Sequence, residues 1–189
     1  MIDDKKLAAA MKDAWKDGHY DVVGYEDGGR DRLAVATAYW VVDIPRNLFP
    51  RKALALIVEH AGEIPENAAF SLSKARGLQT LVPEAALTSV RTIYNTMKVN
   101  RADAIAKTRL TWDGLEVWQK TGNMEVMLFD SFYLSIIDRR SDEYIVNAYG
   151  EMLVFYGDHQ IAAVMPVSAE RDKLYIDHLS GMQWTGEEA

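Results

Sequence analysis

Four histidines, His19, His60, His159 and His178, are where acid–base or metal chemistry would first be sought. No two of them lie four residues apart, so the chain has no helical zinc pair. His159 and His178 each follow an aspartate, Asp158 and Asp177. Consecutive strand residues point to opposite faces, so neither doublet builds a dyad, and both read as turn or edge residues. His60 closes a predicted helix, where an imidazolium would meet the negative end of the helix dipole. The carboxylates Asp130, Asp138, Asp142 and Glu143 cluster in sequence. Paired carboxylates can hold divalent cations or exchange protons, so a small metal-dependent enzyme working around 130–143 is the alternative reading. Arg139 and Arg140 interrupt the cluster, and solvated charges at strand ends explain it as well. There is no cysteine, which excludes thiolate nucleophiles, thiolate metal sites and disulfides. There is also no Gly-x-Ser-x-Gly elbow. The Gly28-Gly29 pair lies between two predicted strands, where it reads as a turn and not as a phosphate loop. These patterns assign no catalytic residue, metal ligand or cofactor.

Charge is more informative. The chain totals −7, yet residues 74–109 hold seven basic residues against two acidic ones. An overall acidic chain is a poor general binder of nucleic acid, but a local basic segment suits one anionic partner. The candidate anion-binding residues are Lys74, Arg76, Arg91, Lys98 and Arg101. Lys74 and Arg76 sit in a short loop. Thr88, Arg91, Asn95 and Lys98 recur along one side of a predicted helix whose other side carries Ala86, Val90, Tyr94 and Met97, so the polar stripe should face solvent. If the loop lies near that stripe, the cations converge on one partner, nucleic acid or an acidic protein. Few exposed aromatics interleave with them, which disfavours base stacking. The leading expectation is therefore a non-enzymatic binding or accessory module. A structural subunit of a homo-oligomer is a further alternative, and the sequence leaves oligomeric state open.

The elements that must position these residues follow from hydrophobic pattern and turn signals. A hydrophobic fraction of 49% supports a real core. One domain over 1–189 is expected, with a weak seam at 63–82. No apolar run reaches the ~20 residues of a membrane span, and the acidic start lacks an apolar signal region, so a cytoplasmic protein is expected. Helices are predicted over 4–17, 51–61 and about 84–98. Asp3 or Asp4 caps the first, with Gly18 at positive φ ending it, and Pro50 and Gly62 flank the second, apolar on all sides. A strand is predicted at 19–26, and 33–42 reads as one central strand covered on both faces. Another short strand is expected at 69–72.

From 107 to 166 the chain reads as strand after strand, at 107–112, 115–120, 124–129, 132–138, 143–148, 151–156 and 159–165, with an edge strand at 173–176. Asp113-Gly114 predicts a type I′ hairpin turn that pairs Trp112 with Leu115 and Leu110 with Val117 on one face. The fold class is α+β: an antiparallel sheet, strand-rich in the C-terminal half, with about three packed helices.

Overall fold

A computed structural model describes residues 2–139, 144–157, 159–167, 169–180, 182 and 184. Its centre is a sheet of eleven strands: β1 (Tyr20–Asp27), β2 (Arg30–Ala36), β3 (Trp40–Pro45), β4 (Ala69–Ser73), β5 (Gly77–Leu81), β6 (Asp103–Trp112), β7 (Leu115–Lys120), β8 (Val126–Asp130), β9 (Ile145–Tyr149), β10 (Met152–Gly157) and β11 (Gln160–Val164). Their order across the sheet is β5-β4-β1-β2-β3-β11-β10-β9-β6-β7-β8. Every neighbouring pair is antiparallel. The N-terminal and C-terminal strand sets meet where β3 pairs with β11.

Side-chain alternation divides the core into layers. Val22, Val35 and Val42 face one side, with α1 (Asp4–Asp17) and α2 (Arg51–Ala61) packed over them through Leu7, Met11, Leu56 and Ile57. Val23, Ala34 and Val41 face the other side, beneath Ala86, Leu87, Val90 and Ile93 of α3 (Pro83–Val99). Leu7, Met11 and Ile57 are wholly buried, and each such side chain contributes roughly 1.5–3 kcal/mol by leaving water. Asp3 caps α1 by accepting from Lys5 N and Lys6 N at 2.9 and 3.1 Å, as expected.

The α+β class, the antiparallel sheet and the three predicted helices are as the sequence indicates. Several elements differ. The apolar run 33–42 is parts of two strands, because Thr37 Oγ1 accepts from Tyr39 N and Trp40 N, both at 3.1 Å, and folds the chain back. Both strands are covered on both faces, which is why no polar break marks the turn. Residues 132–138 are not a strand. Asp130 Oδ1 accepts from Phe132 N at 2.8 Å and starts a single helical turn, α4 (Ser131–Leu134), while Ile137 makes only an isolated bridge to Ile2. Residues 173–176 belong to a helix, α5 (Ala169–Leu179), whose Tyr175, Ile176 and Leu179 pack at helical spacing on Val117 and Leu128. Gly18 has φ −161°, ordinary extended backbone, and its N–H reaches Ala14 O at 2.9 Å. Gly62 does take the left-handed conformation, at φ 84°. The second helix is not buried all round, since Val58 is 44% exposed.

The Asp113-Gly114 turn has φ of 48° and 80°, as a type I′ turn requires. Trp112 pairs with Leu115 and Thr111 with Glu116. Beyond them a bulge shifts the register, so that Lys107 faces Trp118; Thr108 Oγ1 donates to Val117 O at 2.8 Å within the bulge. Leu110, Leu115 and Val117 still share one cluster, as alternation predicts. Among the described residues no helix is long and apolar enough to cross a membrane.

Candidate functional site

Asp43 is a charged residue inside the apolar sequence Val41-Val42-Asp43-Ile44, and its side chain points towards α3. Arg32, on β2, points the same way, because it alternates with Ala34 and Ala36 of that layer. The two form a buried ion pair, with Arg32 Nε at 3.0 and 3.1 Å from the carboxylate oxygens and Nη2 at 2.9 Å. Arg32 Nη2 also donates to His159 O at 3.0 Å, tying the pair to the β10–β11 turn. From α3, Tyr94 OH donates to Asp43 Oδ2 at 2.7 Å. Tyr25, on β1, shares the same carboxylate. Burial first, then the Asp43 charge, raises both tyrosine hydroxyls above their ordinary pKa, so they stay protonated donors. Burial disfavours the Arg32 charge, but the Asp43 contacts outweigh it and hold the guanidinium above its ordinary value.

Two members of this network, Tyr25 and Tyr94, line a cleft of about 590 Å³ between α3 and the end of β1. Glu84, Leu87, Arg91, Tyr94 and Lys98, three and four residues apart, line the helical wall, while Tyr25, Glu26, Asp27 and Asn67 line the other. Gly24 lies at the base, where the chain at 65–68 crosses β1 at backbone distance. Gly24 N–H donates to Ala68 O at 3.0 Å, and a Cβ on Gly24 would lie 2.0 Å from Pro65 O.

Arg91 and Lys98 are exposed, and neither makes an ion pair among the described residues. Four cations elsewhere are matched: Arg46 with Glu66, Lys107 and Arg139 with Glu116, and Lys120 with Glu125 and Asp103. The structure thus brings Arg91 and Lys98 together on one concave wall, facing Glu26 and Asp27. It does not bring Lys74 and Arg76 to them. Their turn sits at the far end of β5 from α3, where Lys74 N–H donates to Trp15 O at 2.7 Å and Arg76 lines a separate cleft with Lys16 and His19. Arg101 is exposed in the connection between α3 and β6.

Of the carboxylates around 130–143, Asp130 is used as a helix cap and Asp138 is engaged with neighbouring groups, while Asp142 and Glu143 lie outside the described residues. No three His, Asp or Glu side chains among the described residues gather as a metal site. His60 stacks on Trp15 with ring centroids 4.4 Å apart, and its Nδ1 lies 2.9 Å from Tyr20 OH. Burial lowers its pKa, Glu59 opposes and Lys12 reinforces, so the ring favours the neutral form and not the imidazolium expected at a helix end.

Sequence reasoning missed Tyr25, Arg32, Asp43 and the polar role of Tyr94. The usable signal was Asp43, an acid in an otherwise apolar strand, which must find a partner when buried. The chain matches no protein-family model and no curated protein.

Proposed function

We propose that the protein is a binding or accessory module without catalytic activity, and that Arg91 and Lys98 receive an acidic group of a partner protein in the α3–β1 cleft. The observation that carries this reading is the pair of exposed cations, in no ion pair among the described residues, that share one concave wall. The partner class follows from the opposite wall. Glu26 and Asp27 stand across from the cations, and the chain carries −7 overall. A nucleic-acid backbone would meet those acids at every phosphate. A protein segment can offer a carboxylate to Arg91 and Lys98 and donors to the acids. The metal-dependent alternative draws least support, because Asp130 is occupied as a cap.

The test is fluorescence anisotropy with a labelled polyglutamate peptide and a labelled duplex oligonucleotide, each at two salt concentrations. The peptide is expected to bind at low salt and more weakly at high salt. Arg91→Glu with Lys98→Glu should weaken binding by about tenfold or more, since removing complementary charge costs both steering and contact energy. Thermal stability should hardly change, because exposed charges contribute little to folding. Arg76→Glu, in the other cleft, should leave binding intact. Equal binding by wild type and double variant, or none by wild type at low salt, would overturn the proposal. Tighter binding of the oligonucleotide would replace the acidic protein with nucleic acid.

A further inference from the structure

The face of the sheet that carries α3 also carries α5. Trp118 pairs with Met127, and both face the layer under α1 and α2, as do Ala148 and Leu153. Val117, Leu128, Tyr149 and Met152 are each next in sequence to one of these, so all four face the opposite way. α5 covers Val117 and Leu128, while Tyr149 and Met152 belong to the layer beneath α3. The two apolar clusters do not merge. Between the helices lies a cleft of about 910 Å³, with Thr92 and Thr96 of α3 on one side and Ile176 and Asp177 of α5 on the other.

The lining has two chemical parts. Leu128, Tyr149, Met152, Met165, Val167 and Ile176 make it apolar along the sheet. Met165, Val167 and Ile176 are only half-buried, so a ligand lying on them would remove apolar area from water. The charged part is acidic throughout. Glu125, Glu151 and Asp177 line the cleft, and among the described residues no Lys, Arg or His does. Glu125 is held by Lys120 Nζ at 2.8 Å. Glu151, in the turn between β9 and β10, and Asp177 are exposed, and neither makes an ion pair among the described residues.

We propose that this cleft binds a small organic amine, with its apolar body against the sheet and its protonated nitrogen towards Glu151 and Asp177. The volume falls within the roughly 300–1,000 Å³ of small-molecule sites, which pair apolar walls with a few polar groups that set orientation. The apolar part supplies affinity, and the two carboxylates select the sign of the head group. A fatty carboxylate would bring a third negative charge to Glu151 and Asp177. A polyamine without an apolar body would leave the cleft wet along Met165, Val167 and Ile176. The site is separate from the α3–β1 cleft, whose helical wall carries cations.

Isothermal titration calorimetry of the whole protein at neutral pH tests this with three probes of one chain length: octylamine, octanol and octanoate. Octylamine is expected to bind most tightly, octanol more weakly and octanoate least. Glu151→Gln with Asp177→Asn should weaken octylamine by about tenfold, as loss of two partly solvated ion pairs implies, and leave octanol unchanged. Thr92→Trp, at an exposed position on the helical wall, should fill the cleft and abolish binding of octylamine and octanol alike. Far-UV spectra check that each variant is folded, and if Thr92→Trp is not, the carboxylate variant decides alone. No octylamine binding at millimolar concentration, octanoate binding as tightly as octylamine, or a carboxylate variant that binds octylamine as the wild type does overturns the proposal.

Discussion

Replacing Asp43 with alanine should be among the most damaging single changes in this protein. Its carboxylate is 1% exposed and accepts from Arg32 at 2.9–3.1 Å and from Tyr94 OH at 2.7 Å, while the Arg32 side chain is 7% exposed. Alanine leaves a guanidinium buried without its counter-charge. Breaking a buried pair from one side costs about 3–5 kcal/mol, against a total stability of roughly 5–15 kcal/mol for a folded domain. Removing both charges together should cost far less. In Arg32→Met with Asp43→Leu neither ion needs desolvation, and apolar replacements of similar volume are often neutral. Urea unfolding of the wild type, Asp43→Ala, Arg32→Met, Asp43→Leu and the Arg32→Met/Asp43→Leu double measures this, with the midpoint reporting stability and a constant slope showing that two-state behaviour persists. A loss below about 1 kcal/mol for Asp43→Ala would put the pair in the range of a solvated surface bridge and refute the reasoning. A double variant costing the sum of the two single ones would refute it equally.

Gly24→Ala should destabilise by about 1–3 kcal/mol or more, because its Cβ would meet backbone at Pro65 and not a movable side chain; urea unfolding measures the loss. Gly114→Val should cost on the order of 1–2 kcal/mol, since a β-branched residue is strained at φ 80°, and an unchanged unfolding midpoint would contradict the turn. Glu116→Gln tests the cluster of Glu116 with Arg139 and Lys107: burial pushes that carboxyl up, but the two cations outweigh it and hold its pKa below the ordinary 4.5. A depressed folded pKa stabilises above the unfolded value, so the wild-type advantage should be full above about pH 4.5 and vanish as pH falls through the folded pKa, which melts at stepped pH would follow.

Local signals were legible, and long-range ones were not. Asp3, Pro50, Gly62 and Pro83 mark three helices because caps and proline act within one turn of the chain. Asp113-Gly114 fixes its own hairpin for the same reason. Thr37 was overlooked because a hydroxyl that closes a turn between two doubly covered strands leaves no polar break. The period of 132–138 was ambiguous: Leu134, Ile136 and Ile137 are all buried, which fits neither clean alternation nor a long helix. Arg91 and Lys98 were found from helical spacing, which is local. Their separation from Lys74 and Arg76 was not, because it depends on β5 returning the chain along the sheet before α3 begins, and β5 is too polar and exposed to announce itself as a strand.

The buried network and the cleft share Tyr25 and Tyr94. α3 crosses the sheet on a narrow apolar stripe, Ala86, Leu87, Val90 and Ile93, which fixes which side of the helix faces down but grips weakly along the axis, since dispersion contacts are non-directional. Tyr94 supplies the missing direction. Its bond to Asp43, a carboxylate itself held by Arg32, sets the helix in register with β1, β2 and β3. Arg91 and Lys98 lie three and four residues to either side of Tyr94 and inherit that register. A charged group buried in the sheet is a poor way to gain stability, because apolar residues would serve as well. It is a good way to hold Arg91 and Lys98 at a fixed distance from Glu26 and Asp27, which is what the proposed binding cleft would use.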